Sequence, residues 1–116
     1  PQPRPLATMT EKALQLLSPQ PEGFVMMIEG SQIDWCGHAN DIACAMAEMH
    51  DFAKAIEVAK AYVDAHPDTL LVITADHETG GLSLGAQGDY AWHRDVIKNV
   101  KNTAPEIAKA LVQGPL

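Results

Sequence analysis

The chain has 116 residues, of which 47% are hydrophobic and 20% charged, a balance that excludes global disorder. Acidic residues outnumber basic ones by 15 to 8, for a formal net charge of -7. That charge argues against nucleic-acid binding, which needs a basic surface to neutralise phosphates. The sequence has no apolar run of the ~18 residues that would indicate a membrane span.

The first half of the chain predicts a helix, a strand and a loop. Thr8 and Glu11 have the spacing of a capping box, which predicts a short helix that continues through Leu17. The five continuous apolar residues 24–28 predict a strand that is buried on both faces. Residues 29–40 are predicted to form a polar loop that ends at Asn40, the expected N-cap of the next helix.

The strongest periodic pattern lies in the middle of the chain. Apolar residues recur every three or four positions from Ile42 to Val63 with polar residues between them, which predicts an amphipathic helix of about 25 residues. His66 and Pro67 are expected to end it, and residues 69–74 predict a second buried strand. Strand, long helix and strand together predict an α/β fold containing a right-handed βαβ unit.

The last third of the chain predicts two further helices. One covers residues 92–101, and the other opens at Thr103, which forms a capping box with Glu106. The sequence is therefore expected to divide into an α/β core over residues 1–85 and a helical segment over residues 86–116.

The sequence favours two separate buried thiols for the cysteines and leaves a disulfide between them open as the alternative. Cys36 and Cys44 are eight positions apart, and no CxxC or zinc-finger spacing is present. If Cys44 lies on a helix that begins after Cys36, their Cα atoms are expected to exceed the ~7 Å limit for a disulfide.

A first cluster of candidate metal ligands follows the first predicted strand. Glu29, Asp34 and His38 lie within ten positions of one another. Asp34 and His38 supply the oxygen and nitrogen donors that suit zinc, whereas the carboxylate of Glu29 suits magnesium better. The alternative is that these side chains cap a helix and are solvated in a loop, and their spacing alone does not separate the two interpretations.

A second cluster, Asp76 and His77, follows the second predicted strand. Alone, this pair is equally consistent with a buried histidine beside an N-cap aspartate. Ligands in open α/β sheets bind outside the carboxyl ends of the strands, where both clusters are expected. Together they predict a site for two metal ions that lie about 4 Å apart.

These motifs resemble those of alkaline phosphatases. The string Glu-Gly-Ser-Gln-Ile-Asp from Glu29 to Asp34, with His38, precedes Thr-Ala-Asp-His-Glu-Thr-Gly-Gly around Asp76, and the resemblance covers residues from about 8 to 85. It implies a doubly wound α/β sandwich that hydrolyses phosphate monoesters through a phosphoserine. It also implies that Asp34 and His38 bind one zinc, that Asp76 and His77 bind a second zinc, and that Glu29 binds magnesium.

Several parts of the family's site are not recognisable in the sequence. These are the Asp-Ser nucleophile motif, the arginine that clamps phosphate and the threonine that binds magnesium. Ser31 and Ser83 do not match the nucleophile motif, and His93 lacks the Glu-His-Thr-Gly context of the family's third zinc-binding histidine. The chain also begins without Met or a leader. We therefore expect a segment of an alkaline phosphatase that has no phosphatase activity by itself.

Trp35, directly after Asp34, occupies a position where some family members carry lysine or histidine. An indole cannot supply positive charge there, so the magnesium site is expected to bind differently. Packing of Trp35 against the loop is the alternative.

Two other functions remain open at this point. One is a related two-metal phosphodiesterase or phosphonate hydrolase, and the other is a non-catalytic module that binds metal or forms oligomers. The resemblance implies a homodimer, and the isolated segment is expected to self-associate. It also implies a periplasmic or secreted protein. Residues 86–116 are then expected to form a cap inserted over the site.

Overall fold

The computed structural model describes residues 4–81, 86–88 and 90–114. Within these ranges the chain forms five α-helices and one 3₁₀ turn. In chain order they are α1 (Leu6–Leu17), α2 (Ser31–His38), α3 (Ile42–Ala65), the 3₁₀ turn (Ala86–Gly88), α4 (Arg94–Lys98) and α5 (Ala104–Gln113). Over the described ranges, no helix is both long enough and apolar enough to span a bilayer.

The chain forms two compact units. The first comprises the described parts of Pro1–Ser31 and Glu48–Asp76, and the second comprises Gln32–Ala47 with the described parts of His77–Leu116. The predicted domain boundary after residue 85 lies outside the described residues, so that boundary stays a prediction.

The predicted α/β fold with a βαβ unit is wrong. The structure is helical, and residues 24–28 and 69–74, which were expected to be strands, have no regular secondary structure; no strand occurs in the described part of the chain. A strand requires a hydrogen-bonded neighbour as well as apolar side chains, and neither segment pairs with another. Several of their side chains are open to solvent, with Val25 99% and Leu70 85% exposed, whereas Phe24, Met26 and Ile28 are partly buried.

In the first unit, α1 packs along the part of α3 that runs from Asp51 to Tyr62. The backbone N–H of Leu6, at the start of α1, donates to Asp51 Oδ2 at 3.1 Å. Beyond the other end of α1, Tyr62 Oη donates to Ser18 Oγ at 3.0 Å, so the two helices run in the same direction. The residues that they bury are Thr10 and Leu14 from α1 and Ala55 and Ala59 from α3.

The start of α1 differs from the capping-box prediction. The helix begins at Leu6, two residues before Thr8, and its N-cap is Pro5, which makes no side-chain cap bond. Asp51 instead satisfies the N–H of Leu6 from α3, a contact that a local motif cannot reveal. Thr10 is buried, but its hydroxyl keeps a hydrogen-bond partner, because Oγ1 donates to the Leu6 carbonyl oxygen at 2.9 Å.

The predicted long helix is confirmed as α3, and it ends one residue before His66. Tyr62, on its last turn, stacks on the His66 ring with the centroids 3.9 Å apart. Phe24 meets the edge of the same tyrosine at 6.0 Å. These ring contacts fix the end of α3 and the start of residues 24–28 within the first unit.

In the second unit, a disulfide joins α2 to α3. Cys36 and Cys44 are bonded with their Cα atoms 5.5 Å apart, so the expectation of two separate thiols is wrong. That expectation placed Cys36 in a loop, whereas it lies on the last turn of α2. Asn40, with a left-handed φ of 52°, reverses the chain between the two helices and brings the cysteines together.

Asp41, not Asn40, is the residue that caps α3. Its Oδ1 accepts the backbone N–H of Cys44 at 3.0 Å, and its Oδ2 accepts that of Ala104, the first residue of α5, at 3.0 Å. The hydrogen bond from the Cys44 N–H lowers the pKa of the Asp41 carboxyl most, and the bond from the Ala104 N–H lowers it further. Partial burial acts in the opposite direction but does not cancel them. One carboxylate therefore stabilises the N-termini of two helices.

The C-terminal helices of the second unit agree with prediction in position, and α4 is shorter than the expected 92–101. Thr103 and Glu106 form the predicted capping box, in which the Thr103 backbone N–H donates to Glu106 Oε2 at 2.8 Å. The hydrogen bond that Glu106 accepts from the Thr103 backbone N–H lowers the pKa of its carboxyl, as expected for a carboxylate at a helix N-terminus.

Replacing Asp41 by Ala is expected to loosen both capped helix ends by about 1–2 kcal/mol, the cost of losing one or two cap bonds. Amide exchange at Cys44 and Ala104 should then be roughly tenfold faster at neutral pH. Asp41→Asn, which has one amide oxygen, should lose less. Because the folded pKa is lowered, the stabilising effect of Asp41 is present above about pH 4 and disappears as the pH falls through the folded pKa.

The parent chain should therefore lose this protection in acid, while Asp41→Ala should show no such pH dependence. Equal exchange in parent and variant at neutral pH would contradict the double cap.

Candidate metal centre

Two of the three residues in the first ligand cluster, Asp34 and His38, lie on a helix and not in the predicted polar loop. Ser31–His38 forms α2, in which the buried Cys36 and the partly buried Ile33 and Gly37 share one helix face at i, i+3, i+4 spacing. That pattern is present in the sequence, but the short length of the helix and the surrounding polar residues obscure it.

Asp34 and His38 meet on the surface of α2. Residues four positions apart lie on the same side of a helix, and the distance from His38 Nε2 to Asp34 Oδ2 is 3.5 Å. The side chains are 71% exposed for His38 and 41% for Asp34, so both donors remain open to an incoming ligand. The helix thus brings together two of the predicted site residues.

The spacing of these donors fits a zinc ion. Two ligand atoms that are each about 2.0 Å from a tetrahedral zinc lie about 3.3 Å apart, close to the observed 3.5 Å. Catalytic zinc normally takes three protein ligands. Within the described ranges, no group of three or more His, Cys, Asp or Glu side chains could hold a metal ion. Asp34 and His38 therefore supply part of a ligand set.

The hydroxyl of Thr79 holds the other oxygen of Asp34. Thr79 Oγ1 donates to Asp34 Oδ1 at 2.7 Å, across 45 positions of sequence within the second unit. The next two residues, Gly80 and Gly81, have positive φ angles of 81° and 73°, which glycine adopts without steric cost. The glycine pair ends this segment in a turn directly after Thr79.

Sequence reasoning missed Thr79, although it lies inside the motif around Asp76. The sequence around Thr79 does not indicate that its hydroxyl bonds to Asp34, because that residue lies 45 positions away.

The remaining predicted ligands lie outside regular secondary structure. Glu29 and Asp76 belong to the first unit and are exposed, whereas His77 is an exposed residue of the second unit. His77 Nδ1 lies 3.1 Å from the Glu78 carbonyl oxygen. The assignments of Glu29 to magnesium and of Asp76 and His77 to a second zinc stay predictions.

Trp35 projects from α2 next to Asp34. It is 69% exposed, which disfavours its packing against neighbouring residues of the described chain. An effect of the indole on the predicted magnesium site stays a prediction.

The Asp34–His38 contact, with the second carboxylate oxygen bound by Thr79, has the geometry both of a surface i, i+4 ion pair and of part of a metal-ligand set. Comparison with known proteins identifies the family to which the chain belongs. The alkaline phosphatase family matches residues 2–114. The chain belongs to the alkaline phosphatase family.

Individual relatives agree with this assignment. The chain is 46% identical to alkaline phosphatase 3 of Bacillus subtilis over 109 residues, which are 94% of this chain and 24% of that protein. It is 34% identical to an alkaline phosphatase of Schizosaccharomyces pombe, over 92% of this chain and 22% of that protein.

A solved structure has the same fold over this region. The crystal structure of a cold-active alkaline phosphatase from a psychrophilic Shewanella species is 53% identical, with a TM-score of 0.89 over 95% of this chain and 28% of that one. The chain therefore spans about a quarter of the length of these relatives and corresponds to a segment of an alkaline phosphatase.

Proposed function

We propose that this chain forms part of the metal site of an enzyme that hydrolyses phosphate monoesters. The observation that carries the proposal is the Asp34–His38 pair, whose 3.5 Å donor spacing suits zinc in a chain of the alkaline phosphatase family. The match to the alkaline phosphatase family over residues 2–114 favours monoester hydrolysis over a related phosphodiesterase or phosphonate hydrolase.

Each predicted ligand has a role in this proposal. Asp34 and His38 hold one zinc, Asp76 and His77 hold the second, and Glu29 holds magnesium, in keeping with the donors that each ion prefers. Zinc in such a site supplies Lewis acidity toward the phosphate ester and its nucleophile. The chain's own contribution is to place the carboxylates and imidazoles and to fix Asp34 through Thr79 Oγ1.

The serine nucleophile and the phosphate-binding arginine are proposed to come from other parts of the enzyme. Ser31 begins α2 and does not follow an aspartate, while Ser83 lies outside the described residues.

We expect the 116-residue chain, supplied with zinc and magnesium, to release no phosphate from p-nitrophenyl phosphate above the metal-only background. The full-length enzyme should turn over the same substrate, because it would contain a nucleophile beside the metal ligands. Hydrolysis by the isolated chain would contradict the proposed source of the nucleophile. A full-length protein that binds zinc but has no turnover would favour a non-catalytic module.

The proposed location is the periplasm or the extracellular space. The Cys36–Cys44 disulfide supports it, since such bonds persist in oxidising compartments.

We also propose that the isolated chain self-associates through the exposed apolar side chains of residues 24–28 and 69–74. Val25, Met27, Leu70 and Val72 are 70% or more exposed, and exposed apolar side chains on segments with unpaired backbone favour association. Sedimentation velocity should show dimers or larger species at micromolar concentration, and Val25→Lys with Leu70→Lys should shift the chain toward monomer. A monodisperse parent monomer would contradict this. In the full-length enzyme we propose a homodimer.

A further inference from the structure

The end of α2 is fixed by backbone hydrogen bonds and by a covalent bond that meet at one residue. The Asp41 N–H donates to the Cys36 carbonyl oxygen at 3.0 Å. The Asn40 N–H donates to the Gly37 carbonyl oxygen at 2.9 Å. With Asn40 in the left-handed region at a φ of 52°, these two bonds form a Schellman motif, a common end of a helix. The disulfide to Cys44 starts from Cys36, the residue whose carbonyl the motif uses.

His38 lies inside this closed turn. It is two positions after Cys36 and two positions before Asn40, so its backbone position depends on the last turn of α2 remaining helical. Its side chain is 71% exposed, and the ring makes its contact with Asp34 Oδ2 at 3.5 Å. The helix backbone, rather than packing by surrounding side chains, therefore determines where this imidazole lies.

The helix α2 has little intrinsic stability of its own. It has eight residues, all of them described, and isolated helices shorter than ~12–15 residues are marginal in water. Gly37, in its last turn, has the weakest helix propensity of any residue except proline. Cys36 is the one fully buried residue of the eight. The most buried side chain of α2 is therefore also the one that a covalent bond joins to α3.

We propose that the Cys36–Cys44 disulfide is a redox-sensitive positioning element for the zinc ligand His38. The oxidised chain holds the last turn of α2 in the form that places His38 Nε2 beside Asp34 Oδ2. Reduction removes the bond to α3, allows that turn to fray and lowers the affinity for zinc. The inference rests on the proposed function, in which Asp34 and His38 bind one zinc together.

The reductant that this step requires is a dithiol. Cys36 is 3% exposed whereas Cys44 is partly exposed, so the attacking thiolate is expected to reach the Cys44 sulfur. The S–S bond breaks, the Cys36 sulfur leaves with the electron pair and takes up a proton, and a mixed disulfide forms at Cys44. The second thiol of the reductant then displaces Cys44. Two electrons and two protons have passed to the protein, and the reductant has become a cyclic disulfide.

Zinc binding and disulfide formation must then influence each other equally. If reduction lowers the zinc affinity by a given factor, bound zinc favours the disulfide over the two thiols by the same factor. Groups that orient metal ligands typically contribute about 10- to 100-fold to metal affinity. A tenfold effect corresponds to a reduction potential that is more negative by about 30 mV when zinc is bound.

The test equilibrates the full-length enzyme in dithiothreitol redox buffers and measures alkylation of the peptide that carries Cys36 and Cys44 by mass spectrometry. One series contains saturating free zinc, held constant by excess nitrilotriacetate, and the other contains EDTA. Half-reduction is expected to need a roughly tenfold higher ratio of reduced to oxidised dithiothreitol with zinc than without it. This readout does not depend on activity.

Two histidine variants locate the effect. His38→Ala removes the proposed ligand and keeps both cysteines, so zinc should no longer shift the midpoint of reduction. The matched control is His50→Ala, which removes an exposed histidine of α3 and should keep the parent shift.

A cysteine variant gives the reverse measurement. Replacing Cys36 and Cys44 together by Ala should lower zinc affinity roughly tenfold in competition with a chromophoric chelator. Reductant should lower the affinity of the parent enzyme to a similar level, reoxidation should restore it, and neither treatment should change the double variant. The redox measurement on the parent remains decisive if the double variant does not fold.

The outcomes separate the two proposals. Equal midpoints with and without zinc, in an enzyme that binds zinc through Asp34 and His38, would overturn the coupling and leave the proposed function intact. A zinc-induced shift toward the thiols, or an unchanged shift in His38→Ala, would also overturn the coupling. Zinc binding that depends on neither Asp34 nor His38 would overturn the proposed function and this inference together.

Discussion

Replacing Asp34 by Ala in the full-length enzyme is expected to lower kcat/KM for a phosphate monoester by roughly 10³-fold. A catalytic metal contributes several kcal/mol to the stabilisation of the transition state, and each ~1.4 kcal/mol corresponds to a factor of ten in rate. In the proposed site, removing Asp34 would leave His38 as the remaining ligand from α2. Zinc content, measured by mass spectrometry of the dialysed protein, should fall in parallel with activity.

Asp64→Ala is the matched control for this experiment. Asp64 lies on α3 and pairs with Lys60 at 2.6 Å, and both side chains are well exposed. Exposed ion pairs contribute little to stability, so this variant should keep its zinc and its activity. Full activity and normal zinc content in Asp34→Ala would instead remove Asp34 from the metal site.

The second large effect is expected from the disulfide. Replacing Cys36 and Cys44 by Ala should lower the free energy of unfolding by about 2.5 kcal/mol, the value that loop-closure entropy gives for a short loop. The bond fixes the last turn of α2, which carries His38, to the first turn of α3. Urea unfolding of parent and variant, compared at the same protein concentration, measures the difference.

Reduction supplies the control for the cysteine variant. A thiol reductant should destabilise the parent chain by a similar amount and leave the double variant unchanged. Two thiols that react with an alkylating agent in the folded parent without prior reduction would show that the bond is not formed.

The helices could be predicted from the sequence where their signals are local. The apolar periodicity of α3 and the capping box of α5 depend only on residues within one helix, and both predictions are confirmed. The strands failed because apolar residues at 24–28 and 69–74 indicate a tendency to be buried but do not specify a backbone partner.

The candidate site was predictable in its residues but not in its geometry. The motifs around Asp34 and Asp76 gave the family, which the comparisons confirm. The mistaken loop at residues 29–40 concealed the helical i, i+4 contact of Asp34 with His38, and it also caused the wrong prediction for the cysteines. The bond from Thr79 joins positions 45 residues apart, and no periodic pattern links them.

A Cβ added at Gly37 would lie only 2.9 Å from Thr79 Cβ, and this close approach has an evolutionary consequence. Because a Cβ at position 37 would collide with the side chain at position 79, the two positions are not free to change independently. A lineage that gains a side chain at 37 is expected to have lost the threonine at 79 first, and to support Asp34 by another donor. Covariation of these two positions among homologues would record that order of substitution.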